Sequence, residues 1–436
     1  MIKELFLIPC GRFFGLRDTA CSLAFAPQRK RVMLVDGNAA AHISSLISEG
    51  KCAPEVEKML EGPSIGALQP KSDDISSIQI LLNERCNFRC SYCYSADSRC
   101  NIELAEPVLK SAISWLRQCA INTRREHIAL IFVGGGEPML SWTLIKAAVE
   151  YAQQLSAHDG IRNFYKIVTN GSLLSNEQLE FIKRYDIAMQ VSFEILPDVQ
   201  NAQRKHFDDV SANIMKLGEF SVDTRIRSTI TDLNVQRMAE MVHLSLKQYP
   251  FIKKLAFEPV VDPDLFNSAD KMRSFAYRYF ESFKTARMVA QNNGIDLSSS
   301  LSRTWRTIRK HFCGPICSLS PNGSLTGCSH FSSDRIAGFD QFKYGEVKPD
   351  KVNISRWRFE EMFKSKHQSE CENCWLQFNC AGGCPNHRFV YSKEVFDEIC
   401  ELRRNICLYE LLIELAEKYS HTAANDFWSD IPRRLS

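Results

Sequence analysis

The sequence predicts an α/β protein: a partial barrel of six β/α units, preceded by a small module of order β-β-β-α-α and followed by a cysteine-rich region. Three observations carry this. Between residues 75 and 305, short β-type runs alternate with stretches of helical periodicity, the pattern of a parallel sheet with right-handed crossovers. Residues 1–70 hold three short β-like runs and two helical ones. Residues 306–410 hold nine cysteines, several glycines and little periodicity, so they need staples rather than a core of their own.

In the first module, strands are expected over 5–8, 22–25 and 32–35, and helices over 39–47 and 54–60. Residues 61–71, with Pro63, Gly66 and Pro70, read as a linker. Barrel strands are expected over 78–82, 128–133, 165–168, 188–193, 225–230 and 254–258. Val108, Ala112, Trp115 and Cys119 fall at helical spacing after the first of them. Ser175 and Gln178 form a capping-box signal that opens the helix after the third. A helix over 406–419 and a tail with Phe427 and Trp428 complete the division into 1–70, 71–305, 306–410 and 411–436. In such barrels functional groups gather on loops at the C-terminal ends of the strands.

The 436 residues include 44% hydrophobic and 24% charged residues, with a net charge of +3. That balance offers no basic footprint for nucleic acid and no membrane-surface patch. No apolar run approaches the roughly 18 residues of a bilayer span, and residues 1–12 lack a signal-peptide layout. A cytoplasmic location is the default expectation. The anomaly is 17 cysteines, clustered and odd in number. In a reducing compartment such clusters bind metal or carry redox chemistry.

Directly after the first barrel strand comes Cys86-Asn-Phe-Arg-Cys90-Ser-Tyr-Cys93-Tyr94. Three thiolates leave one iron of a four-iron cluster open to another ligand. A zinc knuckle with Cys100 as fourth ligand is the alternative reading. Two further segments bear on the choice. Gly135-Gly136-Glu137-Pro138 ends the second strand, and Thr169-Asn170-Gly171-Ser172-Leu173-Leu174 ends the third. Together with the CxxxCxxC spacing they resemble the radical S-adenosylmethionine (SAM) superfamily. The resemblance implies a [4Fe-4S] cluster on Cys86, Cys90 and Cys93 whose open iron chelates SAM. It also implies reductive cleavage of SAM to a 5′-deoxyadenosyl radical that abstracts hydrogen from a substrate. Gly135 and Gly136 then allow close backbone approach, and Glu137 accepts from the SAM ammonium. Thr169 and Asn170 complete the wall. Ser192 and Glu194, at the place of the family's SxDG, meet the ribose or methionyl end, with structural roles for both as the alternative. Arg204 takes the place of the arginine that often follows.

A second set reads Cys313-x9-Gly323-x4-Cys328, then Cys371-x2-Cys374-x5-Cys380-x3-Cys384, then Cys400 and Cys407. It resembles the SPASM extension of radical SAM proteins, and the two resemblances cover roughly residues 78–410. Carried over, Cys313, Cys328 and Cys384 with Cys317 bind one auxiliary [4Fe-4S] cluster. Cys371, Cys374, Cys380 and Cys400 bind another, for three clusters in all. Cys407 reads as a buried thiol, and so do Cys10, Cys21, Cys52 and Cys119. Two four-cysteine zinc sites remain the alternative for the eight C-terminal thiolates.

SPASM members mostly modify ribosomally made peptides or proteins. The first module resembles the winged-helix-like elements that bind a leader peptide as an added strand; a structural cap on the barrel is the alternative. The expected function is a maturase that oxidatively crosslinks a precursor peptide, served by an electron donor such as flavodoxin or ferredoxin. Sulfatase-type formylglycine formation and small-molecule oxidation are the alternatives. Sulfatase-maturing members place a catalytic aspartate after the cysteine matching Cys328; here Ser329 stands there, followed by His330, the weak candidate for a general base. A purely electron-transferring protein is disfavoured by the three-cysteine loop together with the Gly-Gly-Glu-Pro turn.

Overall fold

A computed structural model of the protein describes residues 4–66, 71–364, 369–419 and 431. It packs as two compact units: Met1–Gln69 with Ser300–Phe312 and Ser365–Ser436, and Pro70–Ser299 with Cys313–Lys364. Residues 67–70 of the expected linker, and Phe427 and Trp428, lie outside the described residues.

The first unit begins with an antiparallel sheet of β1 (Phe6–Pro9), β2 (Cys21–Ala26) and β3 (Arg31–Asp36), with β2 central. The helices Gly37–Ser48 and Pro54–Leu60 follow, as the sequence order indicates. Asp36 caps the first helix by accepting from the Ala39 amide at 2.8 Å. Every residue of β2 is buried, because the strand is covered on both faces. Ala24 and Ala26 meet Ile43, Val56 and Met59 of the two helices. Cys21, Leu23 and Phe25 meet Trp375, Leu376 and the apolar stripe Leu408, Leu411, Leu412 and Leu415. That stripe belongs to the helix Lys393–Tyr419, which starts 13 residues before the expected 406 and so takes in Cys400. Cys10 and Cys21, which have no motif spacing, oppose each other across β1 and β2 with their sulfurs 3.6 Å apart.

The second unit is built on one sheet. Parallel strands β4 (Ser77–Ile80), β5 (His127–Phe132), β6 (Arg162–Thr169), β7 (Ala188–Ser192), β8 (Thr224–Ile230) and β9 (Lys254–Pro259) lie side by side in chain order. Helical segments cross between them, so each strand's C-terminal end faces the same way. β10 (Asp296–Ser298), not expected from sequence, adds a parallel strand beside β9. Beyond β4 the sheet continues through β11 (Ser318–Leu319), β12 (Ser324–Thr326), β13 (Lys343–Lys348) and β14 (Lys351–Ile354). The first two are two or three residues long, too short to print a period.

The local signals behave as their chemistry dictates. The Ser175 hydroxyl accepts from the Gln178 amide and the Gln178 side chain accepts from the Ser175 amide, the capping box read from the sequence. In the helix Glu106–Asn122 the buried stripe is Leu109, Ala112, Ile113, Leu116 and Ala120, whereas Val108 and Trp115 are only half-buried. Arg117 shares that buried side, its guanidinium paired with Asp159 and donating to Asn163 and the Ile161 carbonyl. Among the described residues no helix is long and apolar enough to cross a membrane.

Because β2 closes directly onto the C-terminal helix, the first module is part of that unit's core. Deleting residues 1–66 strips cover from Trp375, Leu408, Leu411, Leu412 and Leu415, and the truncated chain is expected to bind a hydrophobic dye and associate. Size-exclusion chromatography with dye fluorescence checks this; a monodisperse, dye-silent truncation would show a detachable cap instead.

Candidate active site and cysteine clusters

The stretch from Cys86 to Cys93 follows β4 and forms no helix or strand. Its three thiols line one cavity of about 330 Å³ together with the ends of β5 to β8. Each is only half-buried. The Phe88 amide points at Cys86 Sγ at 3.4 Å, and the Arg99 guanidinium donates to Cys93 Sγ at 3.0 Å. Burial pushes the Cys86 and Cys90 thiols up, while Arg99 and Arg204, respectively, pull them back down. Donors and cations aimed at sulfur suit an anionic iron–sulfur cluster.

Other strand ends hold this loop in place. Glu137, 2% exposed, gives both carboxylate oxygens to the turn after β6. They accept from the Thr169 hydroxyl at 2.6 Å, the Asn170 amide at 2.7 Å and the Met139 amide at 3.0 Å. Burial raises its pKa and these donors oppose the rise. The Glu137 amide donates to the Arg85 carbonyl at 2.7 Å, so the turn lies directly against the residue before Cys86. A Cβ on Gly136 would stand 2.0 Å from that carbonyl oxygen, which is why glycine is needed here. The Ser95 hydroxyl donates to the Gly135 carbonyl, and Asn170 donates to Asn87 within the cysteine loop.

Glu194 is fully buried, and both its oxygens are taken inside the protein. One accepts from the Tyr92 hydroxyl and the other from the Thr229 amide at 2.9 Å. Arg204 donates to the same Tyr92 hydroxyl at 2.7 Å and stands 3.9 Å from the carboxylate. Ser192 and Arg204 line the cavity, whereas Glu194 lies behind its wall. Glu194 thereby holds Tyr92, the aromatic before the last cysteine, which is the structural role weighed beside a contact with the SAM ribose or methionyl end.

His330 also lines the cavity. Its ring stacks on Tyr94 with centroids 4.1 Å apart, and the Tyr94 hydroxyl donates to the Ser329 carbonyl. Burial holds the imidazole pKa down to about 4, so the ring is neutral near pH 7. Cys100, the zinc alternative's fourth ligand, donates to Glu84 at 3.0 Å and lies against Arg335, engaged apart from the three thiols of the cavity. Among the described residues no three His, Cys, Asp or Glu side chains converge as one metal ion requires.

The later cysteines fall into both units. Cys371, Cys374, Cys380, Cys384 and Cys400 belong to the first. Arg403, one turn beyond Cys400, is 1% exposed. Its guanidinium lies 3.4 Å from Cys380 Sγ and in the field of Cys400, Cys384 and Cys407. Arg404 hydrogen-bonds Cys374. Among the described residues no carboxylate pairs with Arg403, which lies over the Phe312 ring, and a buried cation ringed by thiols favours anionic sulfur, so this set fits a cluster. Cys407 is buried and donates to the Leu301 carbonyl at 3.3 Å. Cys313, Cys317 and Cys328 belong to the second unit. Cys328 packs beside Phe331, Phe339 and Phe342. Cys317 is 1% exposed, hydrogen-bonded to the Tyr344 hydroxyl beside Cys119, and burial pushes its thiol up to about 12. To ligate a cluster it would have to leave that packing.

Sequence reasoning did not single out Arg99, Ser95, Asn87 or Arg227, all of which bear on the cavity. A signal existed for the last: Arg225-Ile-Arg227 places two charges in a strand whose neighbours lie on both sides, where apolar residues are the rule.

Replacing Arg403 by Met removes a buried charge that is without a carboxylate among the described residues from the metal-free chain and a countercharge from the loaded one. The apo variant is expected to melt no lower than wild type. After anaerobic reconstitution it should retain about four irons fewer. Thermal denaturation and iron analysis read the two effects separately.

Residues 80–244 match the radical SAM superfamily. The cysteine-type anaerobic sulfatase-maturating enzyme of Clostridium novyi is 20% identical over 352 residues, covering 72% of this chain and 89% of its own length. The solved structure of native anSMEcpe with bound AdoMet and Cp18Cys peptide aligns with a TM-score of 0.61 at 18% identity, covering 79% of this chain and 99% of that one. Streptococcus suis SuiB bound to S-adenosylmethionine aligns with a TM-score of 0.52 at 12% identity, over 87% and 94%. The matched segment contains the cysteine loop and the strand ends from β5 to β8 that clamp it, so residues 80–244 form a radical SAM domain.

Proposed function

We propose that the chain is a maturase that removes two hydrogens from a precursor peptide as a crosslink closes. The observation that carries this reading is the coexistence of the three-thiol cavity with the thiols gathered round the buried Arg403 guanidinium. A two-electron oxidation needs a centre that takes a hydrogen atom and another that accepts the remaining electron. In this reading Cys86, Cys90 and Cys93 hold the cluster that, with SAM and an electron from a flavodoxin or ferredoxin, supplies the hydrogen-abstracting radical. Cys371, Cys374, Cys380 and Cys400 hold one auxiliary cluster. The motif spacing offers Cys313, Cys328 and Cys317 to a further auxiliary cluster.

The chain's own residues orient and exclude. Glu137 offers carboxylate oxygens toward an ammonium, and Thr169, Asn170 and Ser192 form a polar wall. Arg204, fixed by Tyr92 and Glu194, presents a cation beside Cys90. The Tyr94–His330 stack forms one side of the cavity. The exposed edge of β3 offers a leader peptide unpaired backbone groups for strand addition.

A polypeptide substrate is supported by the sulfatase-maturating relative and by the peptide bound in the anSMEcpe structure. The same relative favours formylglycine formation as a second reading, since the similarity spans most of its length. Ser329, at the aspartate's place, gives that reaction no strong base.

With a partner peptide, SAM and reductant, the product is expected to be lighter by two hydrogens per link, read by mass spectrometry. A cysteine converted to formylglycine without a link would select the second reading. Changing Cys86, Cys90 and Cys93 together to Ala should remove about four of twelve irons and abolish 5′-deoxyadenosine formation; a triple variant that still cleaves SAM would refute the assignment.

A further inference from the structure

Beside the cysteine loop, two consecutive residues stand in backbone that side chains rarely adopt. Lys205 and His206 have φ of +65° and +57°, and they join the helix Pro197–Gln203 to the helix Phe207–Glu219. Left-handed backbone costs a non-glycine residue free energy, and it persists where the surroundings over-determine it. The surroundings do so here. The Lys205 amide donates to the Gln200 carbonyl at 2.8 Å, and the Gln200 side chain donates back to the Lys205 carbonyl at 2.9 Å. The Phe207 amide donates to the Asn201 side-chain oxygen at 3.1 Å.

The same connection meets the cysteine loop at three points. The Gln203 carbonyl accepts from the Ser91 amide at 2.9 Å. Arg204 donates to the Tyr92 hydroxyl. The His206 ring lies on the Phe88 ring, with centroids 4.8 Å apart and planes inclined by 15°, and its Nδ1 stands 3.2 Å from Asp209 Oδ2. Phe88 is 2% exposed and lines the cavity. Its amide points at Cys86 Sγ, and its carbonyl accepts at 2.8 Å from Arg99, which also donates to Cys93 Sγ. Phe88 therefore joins a ring contact on one side to both outer cysteines on the other.

We infer that His206 is a positioning residue for the three-cysteine loop. This rests on the radical SAM reading of that loop. A ring stacked on Phe88 fixes that side chain and, with it, the peptide groups on either side. The amide then stays directed at Cys86, and the carbonyl keeps Arg99 against Cys93. The residue type follows from the two demands made on it. Histidine accepts left-handed backbone better than most residues and also carries a flat ring. Asparagine meets the first demand without the second, and phenylalanine the second without the first.

The test separates backbone fit from ring contact in the full-length protein. In the metal-free chain, His206→Asn should melt no lower than wild type, because asparagine suits both left-handed backbone and a helix start. Trypsin should nevertheless cleave that variant after Arg89, the exposed residue between Phe88 and Cys90, about fivefold faster than wild type. After anaerobic reconstitution, the same variant should bind SAM about fivefold more weakly in equilibrium dialysis. His206→Phe should melt lower and keep the SAM affinity of wild type. In a Phe88→Leu background, adding His206→Asn should weaken SAM binding no further, because the ring contact is already gone. Unchanged cleavage after Arg89 and unchanged SAM affinity in His206→Asn overturn the inference. So does SAM affinity that falls in step with melting temperature across the variants, the mark of a merely structural residue. So do additive effects of Phe88→Leu and His206→Asn. Cleavage after Arg89 needs neither cluster nor SAM, and formation of 5′-deoxyadenosine by wild type is read in parallel, so a failure of the radical SAM reading is seen separately from a failure of the positioning role.

Discussion

The cysteine loop after β4 has no ladder or helix to hold it, and two buried carboxylates do that work. Glu137 ties the turn after β5 to the turn after β6, and its own amide bonds to the carbonyl of Arg85 beside Cys86. Glu194 ties the end of β7 to β8 and, through the Tyr92 hydroxyl, to the residue before Cys93. Burying a carboxylate is costly unless donors answer it, and each charge-assisted bond recovers about 1.5–3 kcal/mol. The donors come from several different strand ends, so the carboxylates keep their bonds only while those ends stay in register. Loop position is thereby made a property of the sheet, and reactive groups need that precision to meet substrate in a productive geometry.

The cysteines show how little a residue type decides alone. Cys86, Cys90 and Cys93 line an open cavity with cations and amides directed at sulfur. Burial raises the Cys384 and Cys400 thiols near Arg403, and the buried guanidinium opposes that rise. Cys317 accepts from a tyrosine hydroxyl and Cys407 donates to a backbone carbonyl, both in apolar surroundings, and burial raises both. Cys10 and Cys21 spend theirs on each other. Redox and ligand chemistry follow the surroundings, since a thiolate forms only where positive charge or metal offsets its desolvation.

From the sequence alone came the β/α alternation, the Ser175–Gln178 cap, the β-β-β-α-α order and the three motifs that meet at the cavity. These are legible because hydrophobic period, capping chemistry and motif spacing act over a few residues. Hidden from it were β10, the short strands β11 and β12, and the earlier start of the C-terminal helix, all of which depend on a neighbour to pair or pack with. Glu194 is the sharpest case. Its place in a family motif suggested a ligand contact, yet Tyr92, 102 positions away in sequence, takes its oxygen. The same holds for the pairing of Cys10 with Cys21 and the packing of Cys317 against Tyr344. Sequence determines which groups are present and their local geometry. Only the tertiary structure decides which donor reaches which acceptor first, because a buried group must satisfy itself with whatever the fold brings within about 3 Å.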